Sequence, residues 1–176
     1  MNVYSTQAGM GFVVALSMAM GASSAFASMD TPEEVMVPED NTVFLETVGK
    51  GEITYACESK EDGTMGWVFK GPDAMLMDGD EQVGSYYGPP ATWEASDGSK
   101  ITGTQLATAP GGDGNIPLQL VEANPAMGEG AMTGVTYVQR LNTQGGVAPD
   151  SACSEDNMGA TEVVNYQADY LFWKAS

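Results

Sequence analysis

Histidine is absent from all 176 residues. Without imidazole the Ser-His-Asp and Cys-His nucleophile systems are excluded, and a catalytic zinc loses its usual ligands. Basic residues are nearly as scarce. Six Lys and Arg, with Arg140 the only arginine, stand against 24 Asp and Glu, a formal charge of −18. A surface of that sign repels phosphate backbones and anionic lipid, which excludes nucleic acid as a partner and suits a soluble protein. The Asn-x-Ser/Thr glycosylation acceptor does not occur. No segment keeps a convincing 3.6-residue period, and no repeat of fixed length exists. The nearest approach to a dinucleotide fingerprint, Gly128-Glu129-Gly130-Ala131-Met132-Thr133-Gly134, carries its third glycine one place late with no βαβ unit around it. No cofactor is therefore expected. Asp78-x-Asp80-Glu81 and Glu155-Asp156-Asn157 lack the spacing of a calcium loop and read as solvated turns, so no metal is expected either.

The first residues read as an export signal. An apolar run, Gly11 to Met20, is followed by small residues and Ala25-Phe26-Ala27, an A-x-A cleavage pattern. The run is shorter than the ~20 residues of a membrane span, and no cysteine follows the cut to carry a lipid. Cleavage after Ala27 predicts a secreted or periplasmic protein with no transmembrane segment in its mature part. What remains is about 150 residues, enough for one domain with a core. The two cysteines, Cys57 and Cys153, are an even count in an oxidising compartment and predict one disulfide.

Three segments follow: a signal over 1–27, an acidic lead over 28–48 loosely attached to the rest, and a β domain over 49–176. Thr42 to Val48 fits either a strand or a short helix. From Gly49 the pattern is β. Ile53, Tyr55 and Cys57 alternate, then Met65, Trp67 and Phe69, with Gly71-Pro72 ending that strand. Val135, Tyr137 and Gln139 take one face of a later strand and Thr136, Val138 and Arg140 the other. Asn142 to Gly159 forms a long connection, and the chain closes on Tyr166, Ala168, Tyr170 and Phe172, the strongest alternation present. Turn signals every eight to twelve residues or so predict an all-β, single-domain antiparallel sandwich or barrel with long Gly/Pro-rich loops. Strands this short speak against an outer-membrane barrel.

The candidate site is the stretch 84–99. Tyr86 and Tyr87 enter a Gly-Pro-Pro turn, Trp93 and Glu94 leave it, and Asp97-Gly98 makes a second turn. Tyr86, Tyr87 and Trp93 offer flat apolar faces with polar tips, suited to a small polar or sugar-like ligand; Trp93 equally suits the core. Glu94 and Asp97 are the carboxylates that a hydrolase would use as acid and base. Arg140 could clamp a ligand carboxylate or hold the long loop through backbone carbonyls or Asp169. The leading expectation is a non-enzymatic binding or cell-envelope module. The alternatives are a small carboxylate-dependent hydrolase and a structural surface protein.

Several phrases recur in order: Gly49-x-Gly51, Tyr55-x-Cys57, Trp67-x-Phe69, Gly88-Pro89, Trp93-Glu94 and Asp97-Gly98-Ser99. After them come Gln139-Arg140-x-Asn142-Thr143-x-Gly145-Gly146-x-Ala148-Pro149, Cys153 and Tyr166-x-Ala168-Asp169-Tyr170-x-Phe172. Together they resemble the exported bacterial and fungal family catalogued as domain of unknown function 3455. The resemblance spans Gly49 to Trp173. It implies a secreted β-rich domain whose two cysteines pair, and no established activity. A family histidine near Tyr86 has no counterpart here.

Overall fold

The computed structural model describes residues 31–176. The expected signal segment and the first residues of the lead lie outside them. Eight strands follow in order: β1 (Asn41–Ser59), β2 (Met65–Asp78), β3 (Glu81–Tyr87), β4 (Thr92–Ala95), β5 (Lys100–Ala109), β6 (Leu118–Ala123), β7 (Val135–Gly145) and β8 (Thr161–Ala175). Each pairs antiparallel with the next, and β8 pairs back onto β1, closing a barrel. Closure leaves the sheet without a free edge strand.

The interior follows from the alternation. Tyr166, Ala168, Tyr170 and Phe172 of β8 all point inward and are buried, with Ile53, Leu76, Trp93, Ile101, Val121 and Val138 from the other strands. Large rings fit because β1 places glycine opposite them. A Cβ on Gly49 would strike the Tyr170 ring, and one on Gly51 would strike the backbone of Asp73 and Ala74. Outer-membrane barrels enclose a polar lumen, whereas this interior is a packed apolar core. Strand length does not make that distinction: β1, β2 and β8 run to 19, 14 and 15 residues.

These strands outrun their sequence signals because they absorb Gly and Pro at irregularities. Gly71-Pro72 does not end β2. The strand continues to Asp78, and the register shifts between Thr54 and Tyr55 of β1 opposite this point. Pro72 costs no bond towards β3, whose pairing with β2 begins at Asp73. Thr42 to Val48 is strand, paired with β8, so the sheet begins at Asn41 rather than Gly49. A register shift between Val135 and Tyr137 likewise alters the faces of β7. Val135 joins Val138 in the barrel core, while Tyr137 turns outward.

The lead is not loosely attached. Residues Glu33–Val35 form a 3-10 turn that lays Val35 on a second core outside the barrel, with Ala109, Leu120, Leu141 and Leu171. Val35 is 0% exposed, and Gln139 Nε2 donates to its carbonyl at 2.7 Å. Cys57 and Cys153 are joined by a disulfide, which ties the β7–β8 connection to β1.

Candidate functional site

In the β3–β4 hairpin Tyr86 pairs with Trp93 and Ser85 with Glu94. Cross-strand partners share a face and neighbours alternate, so the register divides the aromatic cluster foreseen in the loop. Tyr86 and Trp93 point inward, 5% and 1% exposed, and stack with centroids 4.7 Å apart at 13°. The Tyr170 ring lies 5.2 Å from Tyr86 and 6.4 Å from Trp93. Their flat faces meet one another instead of a ligand, because a barrel of this size is filled by its own rings.

Tyr87 and Glu94 belong to the outer face. The Tyr87 hydroxyl donates to Glu94 Oε2 at 2.5 Å. That bond, with some burial and the carboxylate charge, raises the Tyr87 pKa above its ordinary 10.0. Lys100 Nζ stands 3.9 Å from the same oxygen. Around the pair an open groove of about 1060 Å³ runs across β2, β3 and β4, lined also by Lys70, Asp73, Gln82 and Ser85. One wall is fixed by close packing. Gly71, at φ +149°, takes the Gly88 carbonyl where any Cβ would collide.

Asp97 does not line the groove. Its carboxylate accepts from Ser99 N at 2.9 Å, Ser99 Oγ at 2.6 Å and Ala131 N at 2.7 Å. The Ser99 hydroxyl first, then the two N–H groups, hold its pKa below the ordinary 3.8. Met132 N also donates to Ser99 Oγ at 3.1 Å, and the Met132 side chain is buried in the barrel core. Asp97 thus seats the turn that inserts Met132 into the core.

Arg140 stands opposite Tyr170 on β8 and Gln119 on β6, facing inward. Its Nε and Nη2 donate to the Pro117 carbonyl at 3.1 and 2.9 Å. The carbonyl it holds therefore lies in the β5–β6 connection, not in the long loop. Asp169 accepts from Asn142 Nδ2 instead, at 2.7 Å. Burial raises the hydroxyl pKa of Tyr55, Tyr86, Tyr166 and Tyr170, and the Arg140 charge partly opposes that rise at all four.

The six candidates thus occupy three places: Tyr87 and Glu94 in the groove, Tyr86, Trp93 and Arg140 around Tyr170 inside, and Asp97 in a turn. The groove residues Lys70, Asp73, Gln82 and Ser85 were not singled out from sequence, although Ser85 and Tyr87 share a parity. Among the described residues no three His, Cys, Asp or Glu side chains converge as a metal site. No described helix is long and apolar enough to cross a membrane.

A family model described as "Protein of unknown function (DUF3455)" matches residues 38–174. The chain belongs to this family. The matched range takes in all of β1 to β7, nearly all of β8, and Cys57 with Cys153. Neither the curated proteins nor the solved structures give a match to the chain.

Proposed function

We propose that this member of the family is an exported, non-enzymatic binding module that takes a small polar or sugar-like ligand in the groove over β2, β3 and β4. The observation that carries this reading is the outward Tyr87–Glu94 pair in a concave, largely polar wall. Tyr87 supplies a ring face and Glu94 a charged acceptor, while Gln82, Ser85, Asp73 and Lys70 supply further donors and acceptors for hydroxyl groups. Export is supported by the A-x-A pattern at Ala25 to Ala27 and by the disulfide. The hydrolase alternative loses support because the oxygens of Asp97 serve a turn away from Glu94.

The test is thermal melting of the purified protein against a panel of neutral glycans and polyols. A ligand at a hundred times its Kd stabilises the fold by ~2.7 kcal/mol, a visible shift for one domain. The expected result is a shift with a subset of the panel, lost in both Tyr87→Ala and Glu94→Gln. Slow turnover of a glycan that Glu94→Gln abolishes would move the reading to the hydrolase. A flat panel would move it to a structural surface protein.

A further inference from the structure

The part of the inward face that reaches solvent differs in chemistry from the groove. Register places Gln105, Gln119 and Arg140 on the inward face of β5, β6 and β7. Gln105 pairs with buried Val121, and Arg140 pairs with Gln119 and with buried Tyr170. Val121 and Val138 are sealed, whereas Gln105, level with Val121, is exposed and Gln119 and Arg140 are half-buried. The inward face therefore reaches solvent at Gln105 and in part at Gln119 and Arg140, beside a buried aromatic floor of Tyr86, Trp93, Tyr166 and Tyr170.

Gln119 Nε2 donates to Gln105 Oε1, so the two amides partner each other, and the unmet charge is that of Arg140. Arg140 is the sole arginine of an acidic chain, yet the ion pairs among the described residues are Lys70–Glu58 and Lys100–Glu94, and neither involves it. Its neighbours are one carbonyl, Pro117 O, and neutral phenols. Trp93 Nε1 has no acceptor among the described residues, but it is sealed within the aromatic floor out of a ligand's reach and serves only as a reporter. Buried donors are normally satisfied, and a half-buried guanidinium without a counter-charge is costly. An ionised carboxylate offers only acceptors and the missing charge, in the planar shape a guanidinium matches.

We infer that this exposed part of the inward face binds the carboxylate of a small organic acid, with Arg140 as its cationic anchor and Gln105 and Gln119 beside it. The site is separate from the groove and does not depend on the reading proposed for it.

The single arginine gives one Nε–H signal in ¹⁵N NMR, and Trp93 gives an indole signal within the floor. The uniformly labelled protein is titrated with succinate, with sodium chloride at matched ionic strength as control. Both signals are expected to move saturably with succinate and not with chloride. Arg140→Lys, followed at the Trp93 indole, should weaken binding roughly tenfold, because the ammonium cannot form the paired contact. Should that variant fail to fold, Gln105→Ala should weaken binding several-fold, while Glu94→Gln in the groove leaves it unchanged. No saturable response to succinate, a response that chloride reproduces, or one that persists undiminished in whichever of Arg140→Lys and Gln105→Ala folds, would overturn the inference.

Discussion

Tyr86 and Trp93 stack at 4.7 Å across the β3–β4 pair, so the Gly-Pro-Pro turn sits at the end of a hairpin whose largest rings are core. Trp93→Ala should therefore act on stability before it acts on any ligand. Removal of a buried Trp costs ~3–5 kcal/mol. Urea unfolding should show a loss of that size for Trp93→Ala and under about 1 kcal/mol for Tyr87→Phe, whose ring lies on the outer face. Equal, small losses for both would mean that Trp93 is not packed as described.

The parity that separates these two tyrosines was available in the sequence, but the direction of the inner face was not. A run such as Ser85-Tyr86-Tyr87 alternates whichever way it is placed, and only pairing with Trp93 and closure on β8 decide which tyrosine is inside. β8 was legible because Tyr166, Ala168, Tyr170 and Phe172 keep one parity without interruption. β2 runs through the stop signal at Gly71-Pro72 because local turn chemistry ignores tertiary contacts. There the glycine makes room for the Gly88 carbonyl, and the proline occupies a stretch not yet paired with β3. The place of Arg140 is hidden for the same reason: its strand can be recognised, but not that Tyr170 stands beside it on β8.

The second core predicts that the lead is part of the domain. Val35→Asp would set a charge among Ala109, Leu120, Leu141 and Leu171, and a buried charge without a partner is strongly unfavourable. Val35→Ala should cost about 1–3 kcal/mol in denaturant unfolding from lost apolar burial. Val35→Asp should free the lead, seen as rapid amide exchange at Val35 and proteolytic cleavage before Asn41. Unchanged protection in Val35→Asp would refute the docking.

The disulfide closes a loop between residues 96 apart in sequence. In the chain-entropy model a loop of that length is worth ~4.7 kcal/mol. The double variant Cys57→Ser with Cys153→Ser should unfold at markedly lower denaturant than the parent. The mass of the parent should be unchanged by alkylation unless a reductant is added first. Alkylation of two thiols without reductant would show that the bridge does not form.

Two turns share one device. Asp62-Gly63-Thr64 and Asp97-Gly98-Ser99 each bring the carboxylate to the N–H and the hydroxyl two residues on, at 2.9 and 2.6 Å in both cases. In each the side-chain hydroxyl is the main cause of a pKa held below the ordinary 3.8. A folded-state pKa below the unfolded one gives stability that is complete above the unfolded value and is lost as pH falls through the folded value. Both aspartates should therefore contribute to the acid limb of the stability curve below about pH 4. They differ in reach. Asp62 braces its own hairpin, whereas Asp97 also accepts from Ala131 and so anchors the turn carrying Met132 into the barrel. Asp97→Asn should consequently lower stability at neutral pH more than Asp62→Asn does, and its difference from the parent should shrink as the pH falls below the ordinary aspartate value. Unfolding curves of the parent and both variants across that range test this. A difference for Asp97→Asn that stays constant into acid would mean that its charge contributes nothing to holding the turn.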